Sequence, residues 1–586
     1  MGGREPQPAV GRVLGTEDAT PLTFWVALAP EQYLQLDDVV VTERAVPGRG
    51  QVMLSGVVSQ VRARHEGARF DSDVFLIEDG VLPAAVVESA EVMTTRVEPE
   101  TFVPPRPGAE VRRASDAERD HALYFDQMAK KLPIGLGRDG EPLYLNLEFI
   151  DGTRGAHVNI SGISGVATKT TYATFLLYSL FNSTVLGADA VNTKALIFNV
   201  KGEDLLFLDH PNTHLDPVAA ERYRALGLPA APFDSVAVYA PPRRGDPNAG
   251  PDVATRTTGV ASFYWTVEEF VADELLPFVF ADAEDDRNQY TMVIHNVARR
   301  LQLDGNPIGD DGAWEVDGRK LTTYHDVVEL ILEKLNDETS RYDWAGPATG
   351  MGTINAFIRR LLSSQRAVAP LVRADIPLRA QRQIRLSDAK VTVVDIHNLH
   401  ERAQRFVVGV TIRTAFREKE ERGARRPLLF LVLDELNKYA PREGTSPIKE
   451  ILLDVAERGR SLGIVLLGAE QTASEVERRV IANSAIRVVG RLDSAEAARP
   501  EYGFLPAAHR QRATIAKPGT MFVSQPEIPV PLVVEFPFPA WATRPDERDP
   551  TGAGPAGPAG RAGAAGSGGA PGGDPFAGFP EPGGSG

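Results

Sequence analysis

A glycine-rich segment that ends in a lysine and a threonine is the part of this sequence most typical of a chemical site. The segment, GISGVATKT, runs from Gly162 to Thr170, after the apolar run HVNIS and before the helical pattern of KTTYATFLLYSLF. Between a strand and a helix, such a loop presents backbone N–H groups and the positive end of the helix to an anion. We therefore predict that Lys169 contacts the β- and γ-phosphates of a nucleotide and that the Thr170 hydroxyl is a magnesium ligand.

The segment departs from the usual phosphate-binding loop in two respects. Gly162 and Lys169 are one position further apart than in the standard motif, and Thr168 replaces the glycine before the lysine. Because a β-branched residue resists a positive φ, the loop must follow a modified path. A glycine-rich turn in which Lys-Thr occurs by chance is the structural alternative. The predicted nucleotide-binding residues are Gly162, Gly165, Val166, Ala167, Thr168, Lys169, Thr170 and Thr171.

An acidic pair at the end of an apolar strand is the second chemical feature. The run LLFLVLDE ends in Asp434 and Glu435, and buried carboxylates are costly unless they meet a cation or activate water. We predict that Asp434 holds magnesium, directly or through a water, and that Glu435 polarises an attacking water. Gln471 follows the apolar run GIVLLGAE and is predicted to sense the γ-phosphate or to orient the water. The alternative for these residues is a strand that simply ends in polar side chains.

Two arginines lie at the end of a predicted amphipathic helix. Apolar residues at i, i+3, i+4 and i+7 from position 448 indicate the helix, which delivers Arg458 and Arg460 to a glycine-containing turn. An arginine supplied by a neighbouring subunit can stabilise the charge that develops in phosphoryl transfer and contribute roughly 10³ to 10⁵ in rate. A surface ion pair is the alternative for each arginine.

The elements that must position these residues predict a parallel α/β sheet. After residue 130, apolar runs alternate with helical patterns, and each run is continuous, as expected for a strand covered on both faces. The runs are HVNIS (157–161), ALIFNV (195–200), KVTVVDI (390–396), LLFLVLDE (428–435) and GIVLLGAE (463–470). The helical pattern of 264–372 predicts an inserted helical subdomain, so the predicted core comprises 130–260 and 373–545.

The two ends of the chain differ from this core. Residues 8–100 hold short β-rich runs, among them DVFLIED (73–79), which are separated by Gly, Pro and Asp and predict a small antiparallel barrel. Residues 551–586 contain 14 Gly, 8 Ala and 6 Pro. Such a composition buries too little apolar area to offset the entropy of ordering, so we predict that this tail is disordered.

The composition excludes several classes of protein. Across 586 residues, 63 Lys and Arg stand against 79 Asp and Glu, and the net charge of −16 argues against a protein that coats nucleic acid with its whole surface. A local basic channel remains compatible with this charge. The absence of cysteine excludes disulfides, thiolate chemistry and cysteine-ligated metals.

Further sequence features bear on location and on metal binding. No apolar run approaches the length of a membrane span, and the start MGGREPQPAV lacks the apolar core of a secretory signal, so the expected location is the cytoplasm. His397 and His400 have no third ligand at a recognisable spacing. We interpret both histidines as capping or loop residues.

Together these motifs resemble the HerA family of hexameric DNA-translocating ATPases, relatives of FtsK-type motors. The resemblance covers about residues 8–545 and rests on the barrel pattern and on the segments HVNISGISGVATKTTYATFLLYS, ALIFNVKGED, LVLDELNKYAP, AERGRSLGIVLLGAEQT, IANSAIRVVGRL and PLVVEFPFPAWAT. It implies a RecA-like P-loop NTPase core, a homo-hexameric ring, ATP with Mg²⁺ bound between subunits, and duplex DNA in the central pore. It also implies a nuclease partner of the NurA type or another effector protein.

The resemblance also assigns roles to individual residues. The phosphate-loop lysine and hydroxyl, the acidic pair and the sensor position are matched by Lys169, Thr170, Asp434, Glu435 and Gln471. Arg460 best matches the arginine that acts on the nucleotide of a neighbouring subunit, and Arg458 is the second candidate. Glu203 in NVKGED resembles an acidic position near the nucleotide. The modified loop bears on the rate of hydrolysis more than on nucleotide binding.

Lys438 and Arg442, in the loop after the acidic pair, are the candidate DNA contacts in the pore. The negative net charge does not exclude them, because attraction to phosphate acts within about one Debye length, ~8 Å at physiological salt. A solvated face or an ion pair is the alternative for each residue.

Two main functions follow from the sequence, and an ATPase that moves protein or acts on small molecules is a further alternative, which a monomeric molecular mass would favour. In the first, the protein is a hydrolase that moves DNA: ATP closes a subunit interface, hydrolysis by water activated at Glu435 reopens it, and pore loops advance along the duplex. In the second, the protein is an ATP-gated, ring-shaped assembly platform that recruits an effector with little processive movement. The modified phosphate loop motivates the second function, and ATP turnover that is insensitive to DNA would indicate it.

Overall fold

The computed structural model describes residues 8–66, 68, 70–163, 169–280, 288–378 and 382–548. The chain divides into two units, which we call the first unit (Met1–Leu147 with Ile486–Phe536) and the second unit (Glu148–Ala485 with Pro537–Gly586). Four of the predicted loop residues, Gly165, Val166, Ala167 and Thr168, lie outside the described residues. The tail predicted to be disordered, 551–586, lies outside them as well.

The first unit begins with a closed barrel of six antiparallel strands. The elements of the barrel are β1 (Ala9–Val13), β2 (Thr23–Leu28), β3 (Val39–Val46), β4 (Gly50–Glu66), helix α1 (Asp73–Glu78), β5 (Ala85–Glu98) and β6 (Glu110–Arg113). The strands close in the order β1-β2-β5-β4-β3-β6 around buried Val, Phe and Leu side chains. The predicted barrel is confirmed, and its sixth strand extends it beyond residue 100.

One predicted strand of the barrel is wrong, because DVFLIED forms helix α1 instead. Strands β4 and β5 pair with each other as far as Glu66 and Ala85, and α1 lies in the connection between them. A segment without a neighbouring strand satisfies its backbone N–H and C=O groups internally, and a helix does so. None of the side chains of α1 is buried.

Further elements of the first unit form a five-stranded antiparallel sheet. The chain continues with α2 (Asp116–Ala122), β7 (Lys131–Leu136) and β8 (Pro142–Asn146). Three strands from near the end of the chain complete the sheet: Ile486–Val489, Thr520–Ser524 and Leu532–Glu535. The helices Ser494–Ala497 and Ala507–Thr514 lie between the first two of these strands in the sequence. The structure therefore groups these residues with the barrel, whereas the sequence pattern places them in the core.

The second unit is built on seven parallel strands. Its strands are β9 (Val158–Ser161), β10 (Lys194–Asn199), β11 (Val236–Ala240), β12 (Val260–Ser262), β13 (Gly305–Ile308), β14 (Ala313–Val316), β15 (Arg319–Leu321), β16 (Val391–Asp395), β17 (Leu429–Asp434) and β18 (Ile464–Glu470). The parallel strands follow the order β12-β11-β16-β10-β17-β18-β9. The five predicted apolar strands are confirmed, and every residue of β9, β10, β16, β17 and β18 is buried.

Helices of the second unit connect these strands. Their bounds are α3 (Lys169–Asn182), α4 (Pro217–Ala225), α5 (Val267–Ala272), α6 (Leu276–Val279), α7 (Asn288–Leu303), α8 (Tyr324–Asn336), α9 (Arg341–Ala345), α10 (Met351–Val368), α11 (Glu401–Arg422), α12 (Pro447–Leu462) and α13 (Arg478–Ala482). In the first unit, the helices Ser494–Ala497 and Ala507–Thr514 are α14 and α15, and the strands Ile486–Val489, Thr520–Ser524 and Leu532–Glu535 are β19, β20 and β21. The sheet of the first unit has the order β19-β20-β21-β7-β8.

Between β12 and β16 the second unit carries helices α5 to α10 and the small antiparallel sheet β13-β14-β15. The sequence pattern of 264–372 predicted helices but not this small sheet. Within the described part of the chain, no helix combines the length and the apolar composition that a membrane span requires.

Candidate functional site

The carboxyl ends of four parallel strands bring the predicted chemical residues together. In the register of the sheet, Phe198 of β10 pairs with Leu433 of β17, and Asp434 pairs with Ala469 of β18. The strand ends are therefore level, and the residues that follow them meet at one edge. Ligands of open α/β sheets bind at this edge. Gly162, after β9, donates its N–H to the carbonyl of Glu470 over 3.1 Å.

Lys169 is the first residue of α3 and is almost completely buried, with 2% of its surface exposed. Its Nζ lies 3.3 Å from Glu435 Oε1. Burial lowers the pKa of Lys169, whereas the charges of Asp434 and Glu435 act to raise it. The structure thus places the lysine of the predicted phosphate loop against the predicted acidic pair, within one site.

Glu435 follows β17 in a left-handed backbone conformation, with φ 57° and ψ 49°. For a residue with a Cβ this conformation costs about 1 to 2 kcal/mol. The backbone N–H of Glu435 donates to Asp434 Oδ1 over 2.9 Å, which holds the turn. In this turn the two consecutive carboxylates share Lys201 as a partner, whereas Lys169 and Gln471 bond to Glu435.

Three donors converge on a single oxygen of Glu435. Oε1 accepts hydrogen bonds from Lys169, from Lys201 and, over 2.9 Å, from Gln471 Nε2. Burial acts to raise the pKa of Glu435, but the hydrogen bonds from Lys201 and Gln471 and the positive charges of the two lysines outweigh it and lower the pKa to about 2. Glu435 is therefore ionised at neutral pH in this arrangement.

Lys201 is a functional residue that the sequence analysis did not identify. It follows β10, and its Nζ pairs with Asp434 Oδ2 over 3.3 Å as well as with Glu435. Burial lowers the pKa of Lys201, but the two carboxylates outweigh this effect and raise it. Its position directly after the apolar run ALIFNV was the available signal. Glu203, two residues later, instead accepts hydrogen bonds from the backbone N–H groups of Ala254 and Thr255.

Asp434 and Thr170 fit the predicted magnesium site in their chemistry. Both are oxygen donors, and both line the same cavity as Lys169. Mg²⁺ binds through one or two protein ligands together with water and substrate phosphates, so it does not need a dedicated cage of carboxylates. Among the described residues, no group of three or more His, Cys, Asp or Glu side chains that could hold a metal ion occurs.

The cavity at this edge has a volume of about 260 Å³. It is lined by Lys169, Thr170, Lys201 and Asp434, and also by the segment near Phe538 and Arg544 that follows the last strand of the chain. The predicted contact Thr171 also lines the cavity. A concave site whose wall combines charged side chains with apolar ones such as Phe198 and Phe538 is suited to a ligand that has both charged and apolar parts.

Glu470 is a fully buried carboxyl group beside this site. It is the last residue of β18, and Ser161 Oγ donates to its Oε1 over 2.8 Å. Burial raises its pKa to about 8, although the hydrogen bond from Ser161 opposes this shift. Glu470 therefore carries a proton at neutral pH and contributes no charge to the site. Its neighbour Gln471 is the sensor residue predicted from the sequence.

Arg458 and Arg460 are not near the acidic pair of their own chain. Both lie in the last turns of α12, before Gly463 and the amino end of β18, whereas the site is at the carboxyl ends. Arg458 pairs with Glu420, and Arg460 Nη2 donates to the carbonyl of Thr153 over 3.0 Å. A role for either arginine at the site of a neighbouring subunit stays a prediction.

The loop after the acidic pair is held in place by a buried lysine. Lys449 Nζ donates to the carbonyls of Arg442 and Gly444 over 3.2 and 2.9 Å and pairs with Glu477 over 2.8 Å. Lys438, at the end of the short turn Leu436–Lys438, is exposed, and the Arg442 guanidinium donates to a backbone carbonyl. DNA contact by Lys438 and Arg442 stays a prediction.

The two histidines of DIHNLH have structural partners. His400 is the N-cap of α11, and its Nδ1 accepts a hydrogen bond from the Arg402 N–H over 3.3 Å. His397 pairs with Asp395 at 2.8 Å, and this hydrogen bond is the main reason that its pKa is raised. The interpretation of these residues as capping and loop residues agrees with these contacts.

Comparison with known proteins gives similarity in structure alone. No family model matches the chain, and no curated protein matches it. VirB4 of Thermoanaerobacter pseudethanolicus is 15% identical with a TM-score of 0.42, covering 70% of this chain and 96% of that chain. The plasmid coupling protein TrwB in complex with ADP and Mg²⁺ is 10% identical with a TM-score of 0.43, covering 74% and 95%. The genome packaging NTPase B204 from Sulfolobus turreted icosahedral virus 2 is 10% identical with a TM-score of 0.20, covering 25% and 68%.

Proposed function

We propose that this protein is an ATP-driven DNA translocase of the HerA type, which hydrolyses ATP at the interfaces of a homo-hexameric ring. The observation that carries the proposal is the convergence of Lys169, Glu435 and Gln471 at the carboxyl ends of adjacent parallel strands. A buried lysine, an ionised carboxylate and an amide at one point are the groups that phosphoryl transfer to water requires.

In this function, Lys169 leaves Glu435 and binds the β- and γ-phosphates, while Thr170 and Asp434 hold Mg²⁺. Bound magnesium supplies positive charge to the phosphate oxygens. Gln471 orients the attacking water, and Glu435 accepts a hydrogen bond from it and takes up its proton as the new P–O bond forms. The bond between the γ-phosphorus and the bridging oxygen breaks, and ADP leaves with that oxygen.

Lys201 keeps Glu435 ionised but also competes with water for the same oxygen. A carboxylate that accepts three hydrogen bonds is a weak base, because each bond stabilises its charged form. Departure of Lys169 to the phosphates removes one of the three donors. Glu435 becomes a stronger base only when nucleotide is bound, and this limits proton uptake in the empty site.

The remaining parts of the proposal concern the ring and DNA. Arg460, with Arg458 as the second candidate, would act on the nucleotide of the adjacent subunit, since neither lies at the site of its own chain. Lys438 would contact duplex DNA from the loop that Lys449 holds. A nuclease of the NurA type or another effector would act with the ring.

Steady-state ATP hydrolysis by the purified protein, with and without linear duplex DNA, tests the proposal. We expect a rate that DNA stimulates and that Glu435→Gln lowers by roughly 10²- to 10⁴-fold, the usual contribution of a general base. Glu435→Gln should still bind ATP, whereas Lys169→Ala should bind it weakly. Equal rates of ATP hydrolysis in both variants and in the wild type would contradict the proposed site.

An ATP-gated assembly platform is the second candidate function. The feature that favours it is a set of exposed apolar side chains close together in the sequence, from α1 to the start of β5: Phe75, Leu76, Val81 and Val86 are between 45% and 70% exposed. Exposed apolar clusters mark protein interaction sites. A rate of ATP hydrolysis that DNA leaves unchanged would favour the platform over the translocase.

A further inference from the structure

The end of the cavity away from Lys169 is built by a segment that no motif assigned to the site. This segment, residues 537–548, which we call the return segment, belongs to the second unit and contributes Phe538, Thr543 and Arg544 to the cavity wall. We propose that the return segment forms the subsite for the base of the nucleotide and that the purine ring stacks on Phe538. This inference rests on the proposed function, because it places the rest of the same ligand.

The position of the cavity along α3 supports the inference. Lys169, Thr170, Thr171 and Thr174 of α3 all line it, so it extends from the phosphate end along the first turns of the helix. A nucleotide whose terminal phosphates contact Lys169 extends its sugar and base away from that residue. Trp541 of the return segment also lines the cavity and packs on Tyr178, which lies further along α3 than Thr174.

Phe538 has the exposure that a stacking residue requires. It is 37% exposed, whereas Trp541 in the same segment is fully buried. An aromatic side chain that lines a cavity and is partly exposed can offer apolar ring surface to a ligand. Stacking of a base on an aromatic ring contributes substantially to nucleic-acid binding and tolerates any base.

The return segment is fixed firmly enough to preform this wall. Trp541 packs on Tyr178 of α3, with ring centroids 4.7 Å apart, and on Phe233 at 5.0 Å. Backbone hydrogen bonds at Ala540 and Ala542 join the segment to residues 210–212 over 3.0 and 2.8 Å. Because Tyr178 belongs to the helix that begins with Lys169, the phosphate end and the base end of the cavity share one rigid support.

Polar groups at the same end complete a nucleoside site. Glu547 is buried and accepts the Thr543 N–H and hydroxyl over 2.7 and 2.9 Å, which fixes the turn of the return segment. Asp204 lines the cavity as well; burial raises its pKa, and the charge of Arg544 opposes this shift. A carboxyl and a guanidinium beside an aromatic face provide an acceptor and donors for sugar hydroxyls and ring nitrogens.

Equilibrium binding of two ligands separates the base subsite from the phosphate site. We would measure binding of a non-hydrolysable ATP analogue and of inorganic tripolyphosphate, both with Mg²⁺, by titration calorimetry. Tripolyphosphate has the phosphates but no base. We expect Phe538→Ala to lower the affinity for the ATP analogue by roughly 5- to 100-fold and to leave the affinity for tripolyphosphate unchanged. Phe538→Trp should restore binding of the analogue.

Control variants define the other outcomes. Tyr342→Ala removes an aromatic side chain that is 55% exposed on α9 and should change neither affinity, whereas Lys169→Ala should weaken both ligands. Equal wild-type affinity for the two ligands, or equal losses of both in Phe538→Ala, would overturn the base subsite and leave the phosphate site intact. A wild-type protein that binds neither ligand would overturn the proposed function together with this inference.

Discussion

Lys201 and Glu435 form an ion pair between the ends of neighbouring strands β10 and β17, although they are 234 positions apart in the sequence. The pair connects a residue that no motif identified to the residue predicted to activate water. Lys201 also contacts Asp434, so it connects both members of the acidic pair to the end of β10.

Replacement of Lys201 should change the pH dependence of ATP hydrolysis. The pKa of Glu435 is lowered to about 2 in part by Lys201, and Glu435 acts as a base only above its pKa. Lys201→Ala removes a hydrogen bond and a positive charge while burial continues to raise the pKa, so the acidic limb of kcat/KM should move to higher pH. The limb of kcat/KM reports groups of the free enzyme.

The conservative variant Lys201→Arg is the control for this shift. It keeps a positive charge and hydrogen-bond donors, so its acidic limb should stay closer to that of the wild type. An identical limb in Lys201→Ala and in the wild type would show that Lys201 does not control Glu435.

Replacement of Glu470 should change how stability depends on pH. Its pKa rises from 4.5 to about 8 on folding, so folding retains a proton that the unfolded chain releases above pH 4.5. Stability contributed by this group is therefore complete below pH 4.5, falls as the pH rises toward 8, and then levels off. Between pH 4.5 and pH 8, the free energy of unfolding of Glu470→Gln should therefore rise relative to that of the wild type by on the order of 1 kcal/mol per pH unit.

Urea unfolding of the two proteins between pH 5 and pH 8 measures this difference. Glutamine keeps the size of the side chain and an acceptor for Ser161 Oγ, so packing should change little. A constant difference between the two stabilities at all pH values would contradict a protonated Glu470.

An arginine that acts across a subunit interface makes a prediction about mixed rings. Arg460→Ala keeps its own phosphate loop, and Lys169→Ala keeps its arginine. Each variant alone should hydrolyse ATP slowly, with an expected loss of roughly 10³-fold or more for the arginine. Mixing the two proteins should restore part of the activity, because some interfaces combine an intact lysine with an intact arginine.

The same mixture made with Arg458→Ala identifies which of the two arginines acts. Arg460→Lys serves as a second control, because it preserves charge but not the bonds to the carbonyls of Gly152 and Thr153. Activity that stays at the level of the separate variants after subunit exchange would argue against a trans arginine.

Lys438→Ala should weaken binding to duplex DNA without regard to sequence. The side chain is exposed on the loop that follows the acidic pair, and loss of one phosphate contact lowers the slope of log K against log salt by about 1. Fluorescence anisotropy with labelled duplex at several salt concentrations measures this slope. Lys320→Ala, which removes a lysine paired with Asp311 in the small sheet of the second unit, should leave the slope unchanged.

The sequence predicted the strands well because their signal is local. Each of the five apolar runs is buried on both faces, and continuous Val, Leu and Ile residues record that environment directly. The polar residues after these runs then had to meet at one edge, since parallel strands align their carboxyl ends. Lys169 was identified by the glycine-rich motif that precedes α3, and Glu435 and Gln471 by their positions directly after apolar runs.

Other features depend on neighbours that local patterns do not reveal. Lys201 matters because β10 lies beside β17, and the order of strands in a sheet is not contained in either strand. DVFLIED has the composition of a strand but no partner to pair with, so it forms helix α1. The return segment reaches the cavity through Trp541 and its aromatic partners on distant elements, and no spacing in the sequence indicates that contact.

The parallel arrangement also sets the order in which this site can come into existence during synthesis. Ser161 and Glu470, which hydrogen-bond at its centre, are 309 positions apart. At roughly 5 to 20 residues per second, a ribosome needs on the order of 15 to 60 s to pass from one to the other. Until then the nascent chain carries β9 and β10 without the strand β18 that lies next to β9 in the finished sheet. The nucleotide pocket is therefore complete only after most of the chain has been made, and bound ATP cannot stabilise the earlier strands before then.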